Sequence, residues 1–122
     1  MASTISDYFA ALNNLDREAY VACFSADALL RDPYGGQTLQ GIAGLQQFFQ
    51  GMERTWAYFQ MTPVAHYPAG DRVAVSWQAK ATAKSGKTAE FAGVNIFTLA
   101  EDGKIKQLDG YWDFKAMVAQ IS

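Results

Sequence analysis

The sequence predicts an α+β domain, a cone in which three N-terminal helices pack inside a curled antiparallel sheet. Two observations lead there. Apolar residues in the first half recur at helical spacing in three segments, and in the second half the pattern switches to the strict alternation of long strands. The chain has 122 residues, half of them hydrophobic, and shows no repeat, low-complexity stretch or linker. That is one domain over residues 1–122, with enough apolar surface for one sizeable core.

Residues 3–13 read as the first helix, with Ile5, Tyr8, Phe9 and Leu12 on one stripe and Ser3 as cap. Asn13-Asn14-Leu15-Asp16 breaks it, and Asp16 caps a second helix carrying Ala19, Tyr20, Cys23 and Phe24 and stopping near Ser25. A short strand, Ala28-Leu29-Leu30-Arg31-Asp32, ends on a carboxylate and turns through Pro33-Tyr34-Gly35-Gly36. After Gly41 a third helix runs to about Trp56, with Ile42, Leu45, Phe49, Met52 and Trp56 stepping by three and four and Phe48 widening the face. A weaker strand spans Phe59 to Tyr67, ahead of a turn at Pro68-Ala69-Gly70-Asp71. Residues Arg72 to Lys84 alternate cleanly, Ser85-Gly86 makes a hairpin, and Thr88 to Leu99 returns with Ala89, Phe91, Gly93, Asn95, Phe97 and Leu99 on one face. Asp102-Gly103 leads into a last strand, Lys104 to Phe114, where Ile105 and Leu108 fall out of phase and imply a bulge near Lys106-Gln107. Val94 and Ile96 lie on the outer face and need cover, most simply from a second copy of the same sheet, hence a homodimer.

Composition narrows the function classes. A net charge of −2 and a pI near 5.2 give no basic footprint for nucleic acid, and no apolar run approaches a membrane span. The N-terminus lacks the charged and apolar regions of a signal peptide, and the single cysteine permits no internal disulfide, so a cytoplasmic location is the default expectation. With one histidine and one cysteine, and no HxH, HExxH or CxxC spacing, no metal site is expected. His66 reads as a partly exposed strand residue and Cys23 as a small packing residue. No glycine-rich loop is placed to cradle phosphates, and no serine sits in a nucleophile elbow, so no cofactor is expected.

What remains are three polar groups on otherwise apolar faces. Leu30 and Asp32 share a face by alternation, so an inward Leu30 carries Asp32 inward with it. Tyr8 lies on the apolar stripe of the first helix, and Asn95 between Gly93 and Phe97 on the inner face of a strand. Each has a plain structural explanation: a turn cap, a phenol reaching solvent, an amide bridging water. Converging on one cavity, they suit proton abstraction beside a carbonyl, with a carboxylate base and two neutral donors for the developing oxyanion.

Tyr8-Phe9-Ala10-Ala11-Leu12-Asn13-Asn14-Leu15-Asp16, Phe24-Ser25-Ala26-Asp27-Ala28 and Arg31-Asp32-Pro33-Tyr34-Gly35 resemble the N-terminal half of the ketosteroid isomerases. These belong to the NTF2-like, or SnoaL-like, superfamily. The resemblance continues through Gly41 and Phe48-Phe49 and again over Gly103-Lys104 to Trp112, and is poorest between about Thr55 and Lys84. It implies a cone-shaped NTF2-like (cystatin-like) fold, usually dimeric through the sheet, enclosing an apolar pocket. It also implies that Asp32 is the proton-shuttling base, that Tyr8 is the oxyanion tyrosine, and that Asn95 stands where the family has a protonated aspartic acid. Leu108, Gly110 and Trp112 fall where the family lines its pocket, and Phe9, Phe24, Phe49, Met52, Trp56 and Phe91 are further candidates for the lining. Asn95 is a weaker donor than an acid, and Phe24 and Phe49 replace tyrosines that in close relatives support the catalytic phenol. Asp109 and Asp113 form a rival site at the end of the last strand, but alternation sets both opposite Trp112, as solvated or dimer-edge carboxylates.

The expected function is therefore cofactor-free proton transfer on an apolar cyclic ketone, as in isomerisation of a steroid-like enone. The alternatives are carboxylate-driven polyketide cyclisation and a non-catalytic small-molecule-binding protein. The superfamily holds all three, so fold alone does not choose among them.

Overall fold

The computed structural model of the chain describes residues 3–122. Helix α1 (Thr4–Asn13) starts where Ser3 Oγ accepts the Ser6 N–H at 3.1 Å, and it buries the whole predicted stripe. Asp16 caps α2 (Arg17–Ala22) by accepting from Ala19 N. This helix ends before the expected Ser25, because strand β1 (Phe24–Arg31) begins at once and pairs Phe24 with Ile105. Tertiary pairing overrides a weak local helical pattern there. After the turn, β2 (Thr38–Gln40) folds back on β1, and α3 (Gly41–Thr55) follows.

The remaining strands are β3 (Trp56–Ala69), β4 (Arg72–Ala83), β5 (Thr88–Leu99) and β6 (Ile105–Trp112), in one sheet of order β2-β1-β6-β5-β4-β3. The weak pattern over 59–67 belongs to the longest strand, β3, at an edge of the sheet. An edge position tolerates Pro63 and Pro68, which cannot donate to a ladder, and the register shifts between Pro63 and Ala65. The β4–β5 ladder runs unbroken from Arg72↔Thr98 to Thr82↔Thr88. The expected bulge is present: Thr98 pairs with Gln107 and Leu99 with Ile105, so Lys106 has no opposite number on β5.

The expected fold class needs two corrections. The sheet is mixed, since β1 runs parallel to β6. Hairpins impose antiparallel pairing on β3 through β6, but β1 reaches β6 only through the rest of the chain, and no local turn sets its direction. There is also a fourth helix, α4 (Phe114–Ile121), where the last strand was expected to end. Asp113 caps it by accepting the Ala116 N–H at 3.0 Å, and Met117, Val118 and Ile121 face inward at helical spacing.

The core lies between the concave face of the sheet (Val75, Trp77, Ala79, Phe97, Leu108) and the stripes of α1 and α3 (Phe9, Leu12, Leu45, Phe49). Among the described residues no helix is long and apolar enough to cross a membrane.

Candidate active site

Asp32 immediately follows β1. Leu30 is inward and 1% exposed, Arg31 faces outward onto Asp109, and Asp32 faces inward again. Trp112, at the end of β6, donates its indole Nε1–H to Asp32 Oδ1 at 2.6 Å. The turn beyond it contains a cis Asp32–Pro33 peptide bond and Gly35 at φ 90°, and the Tyr34 N–H donates to Gly110 O at 2.7 Å. Gly110 is what leaves room for the carboxyl group. A Cβ there would stand 2.9 Å from Asp32 Cγ and 3.1 Å from Asn95 Oδ1, so the carboxyl and the amide meet over that glycine.

Tyr8 and Asn95 come together from α1 and β5. Each is 1% exposed, and Asn95 Nδ2 donates to the Tyr8 hydroxyl at 3.2 Å. The amide can point only one way. Trp77 Nε1–H on β4 is a donor alone and reaches Asn95 Oδ1 at 3.0 Å, so the oxygen faces Trp77 and the nitrogen faces Tyr8. The Tyr8 oxygen thus accepts a hydrogen bond, and among the described residues its own proton is donated to no protein acceptor. A phenol in that state is a ready donor for an oxygen in the cavity.

Tyr8, Asn95 and Asp32 line one cavity of about 40 Å³. The rest of the wall is apolar: Leu12, Phe48, Met52, Trp56, Phe59, Met61, Phe91 and Met117, with the faces of Trp77 and Trp112. The aromatic walls are in mutual contact, Phe91 lying 5.4 Å from Trp112 and 5.8 Å from Trp77 between ring centres.

Electrostatics follow from this enclosure. Asp32 is only partly buried as a whole residue, yet desolvation of its carboxyl group pushes its pKa up to about 6, with the Trp112 hydrogen bond opposing the rise. It is therefore mostly ionised at neutral pH but close enough to its pKa to take up and return a proton. Burial, and then the nearby Asp32 charge, hold the Tyr8 phenol well above its ordinary value, so it is a neutral donor. Tyr20 packs beside Tyr8, ring centres 5.8 Å apart, and its buried hydroxyl has no hydrogen-bond partner among the described residues.

Of the residues expected to line the pocket, Met52, Trp56, Phe91 and Trp112 do so. Phe9, Phe24, Phe49 and Leu108 instead pack into the core, between 0% and 5% exposed, and Gly110 serves as the floor beneath Asp32. Phe24 and Phe49 cluster around Tyr20. The lining includes several residues not anticipated: Leu12, Phe48, Phe59, Met61, Trp77 and Met117. Trp77 was detectable in principle, as the largest inward side chain of β4 and the one opposite Gly93. A Cβ on Gly93 would come within 2.8 Å of Trp77 Cζ2.

The rival carboxylates are engaged elsewhere. Asp109 is buried, not solvated; its Oδ1 accepts from Arg31 Nε at 2.6 Å and its Oδ2 from Gln107 Nε2 at 3.0 Å. Asp113 caps α4. Among the described residues no cluster of three or more His, Cys, Asp or Glu could hold a metal ion.

Comparison with known proteins places this geometry. The model of the SnoaL-like domain matches residues 5–108. The epoxide hydrolase/cyclase-like enzyme SalBIII, described in pyran ring formation in polyether salinomycin, is 25% identical over 93% of this chain and 90% of its own, with a TM-score of 0.82. RV0760c from Mycobacterium tuberculosis, solved with estradiol-17beta-hemisuccinate, is 20% identical over 93% of each chain, with a TM-score of 0.81. A hypothetical protein of ketosteroid isomerase-like fold from Catenulispora acidiphila DSM 44928, in complex with trimethylamine, is 17% identical over 98% of this chain and 92% of its own, with a TM-score of 0.86. With 104 of its 122 residues matched by the family model, wrapped into the same cone, the chain belongs to the SnoaL-like family of NTF2-like domains.

Proposed function

We propose that this protein is a cofactor-free enzyme that moves a proton on a small apolar cyclic ketone. The reading is carried by one observation: a carboxyl group with a pKa near 6 and a phenol held by an amide line the same apolar cavity. Asp32 removes a proton from the carbon beside the carbonyl, and the C–H electrons pass into an enolate. Tyr8 donates to the enolate oxygen, and Asn95 strengthens that donor by its own hydrogen bond to the phenol. Asp32 then returns the proton at the γ-carbon, converting a β,γ-unsaturated ketone to its conjugated isomer. The walls as they stand suit a single ring; pockets for drug-sized molecules run to about 300 Å³ or more, far above the 40 Å³ present.

The test is conjugation of cyclohex-3-enone followed by ultraviolet absorbance. Wild type should turn it over with kcat/KM rising through a pKa near 6, Asp32→Asn should lose activity, and Tyr8→Phe should fall about 10²-fold. Turnover no higher than in the two variants removes the isomerase reading.

The similarity to SalBIII favours a second reading, in which protonated Asp32 acts as the acid in an epoxide-opening ring closure. An epoxy-alcohol probe distinguishes the two: ring closure that falls as pH rises through about 6, with the enone inert, selects the second.

We also infer that the outer sheet face pairs with a second copy. Val94 and Tyr111, register partners on β5 and β6, are 36% and 47% exposed. Beside them Arg31 and Asp109 neutralise each other, so this exposed apolar pair has no net charge next to it to repel its copy.

A further inference from the structure

We propose that Met117 sets the size of ligand this cavity accepts, confining it to single-ring carbonyl compounds. The proposal rests on the cavity being the ligand site, as in the proposed function, but not on any turnover there. The other lining residues come from the body of the cone, on α1, α3, the sheet and the turn after β1. Met117 alone comes from α4, and it is the one fully buried residue of that helix. Phe114 at the start of α4 is half exposed, and only Val118 and Ile121 add partial packing.

Beyond this packing, α4 is tied down by polar contacts at its two ends. Gln120 Oε1 accepts the Glu90 N–H at 2.8 Å, and Gln120 Nε2 donates to Glu90 O at 2.9 Å, an exposed clasp onto the start of β5. Asp113 caps the other end. With both ends anchored, Met117 lines the cavity, where a flexible thioether chain can fill an irregular gap. Removing Cγ, Sδ and Cε would open that end of the cavity without touching Asp32, Tyr8 or Asn95. Met117 belongs to the buried core as well, but it is the one lining side chain carried by the C-terminal helix, so its truncation leaves the walls built by α1, α3 and the sheet in place.

All three tryptophans of the chain line the cavity, so quenching of intrinsic fluorescence reads occupancy directly. The probes are cyclohexanone and 1-decalone, one ring and two. In an unrestricted apolar pocket the larger ketone binds more tightly; in the wild-type protein it should bind no better than the smaller. Met117→Ala should tighten 1-decalone by about tenfold or more, leave cyclohexanone nearly unchanged, and keep the wild-type circular dichroism. Met117→Leu, which conserves volume, should keep the wild-type ratio, and Met117→Val gives an intermediate opening should the alanine variant fail to fold. Wild type that prefers 1-decalone, or folded variants whose ratio does not move, would overturn the proposal. Neither ketone needs to react, so an inactive enone assay leaves this result standing, and Asp32→Asn should show the wild-type size preference.

Discussion

Replacing Asp32 with asparagine should stabilise the fold at neutral pH while removing the proposed base. In the unfolded chain this carboxyl has its ordinary pKa of 3.8; burial raises it to about 6 in the fold. Below pH ~3.8 both states are protonated and the group contributes no difference. Between the two values the folded protein keeps a proton that the unfolded chain has released, so stability falls as pH rises. Above about 6 both are ionised and the penalty levels off. At ~1.36 kcal/mol per pKa unit, a gap of roughly two units costs the native state about 3 kcal/mol at pH 7. Asparagine does not titrate, and its Oδ1 can still accept from Trp112 Nε1. Its new amide N–H groups need partners in an apolar wall, a pH-independent cost of about 1 kcal/mol. The variant should therefore be slightly less stable than wild type near pH 3.5 and about 2 kcal/mol more stable at pH 7. Urea unfolding of both proteins from pH 3.5 to 8 measures this, and taking the difference cancels every other titrating group. A difference that stays flat across that range, or that runs in wild type's favour as pH rises, would refute the burial argument.

Gly110→Ala should cost about 1–3 kcal/mol in thermal or urea unfolding, because its Cβ would overlap the space of the Asp32 carboxyl. In the enone assay it should lower kcat/KM by about 10² through displacement of the base; wild-type activity would show that the carboxyl's position is not what matters. Val94→Asp should convert a dimer to a monomer in sedimentation equilibrium with little change in melting temperature, since Val94 is already partly exposed within one chain. A wild-type monomer would remove the dimer proposal.

Periodicity alone assigned the inward faces well. The stripe of Ile5, Tyr8, Phe9 and Leu12 is buried in α1, the alternation over β4 and β5 marks the concave face, and counting by twos from Leu30 turned Asp32 inward. Such patterns are local, because they record how each residue's side chain points relative to its neighbours in sequence. What they do not carry is which inward side chain meets which. Phe48 and Phe49 are adjacent on α3, yet the first lines the cavity and the second fills the core. Trp77 reads as one more core aromatic until β4 and β5 pair and bring its indole N–H to Asn95. α4 went unread because eight residues at a strand's end carry too short a stripe to compete with the alternation before them.

The sequence by itself determined the first three helices, the hairpins and the inward direction of Asp32, Tyr8 and Asn95, since these depend on spacing and on turn residues a few positions apart. Tertiary structure decided the parallel pairing of β1 with β6, the approach of Asp32 and Asn95 over Gly110, and the placing of Met117 in the cavity wall. Each of these joins segments far apart in the chain. Such contacts are selected by how the sheet twists and how side-chain volumes fit, and no short-range pattern encodes either.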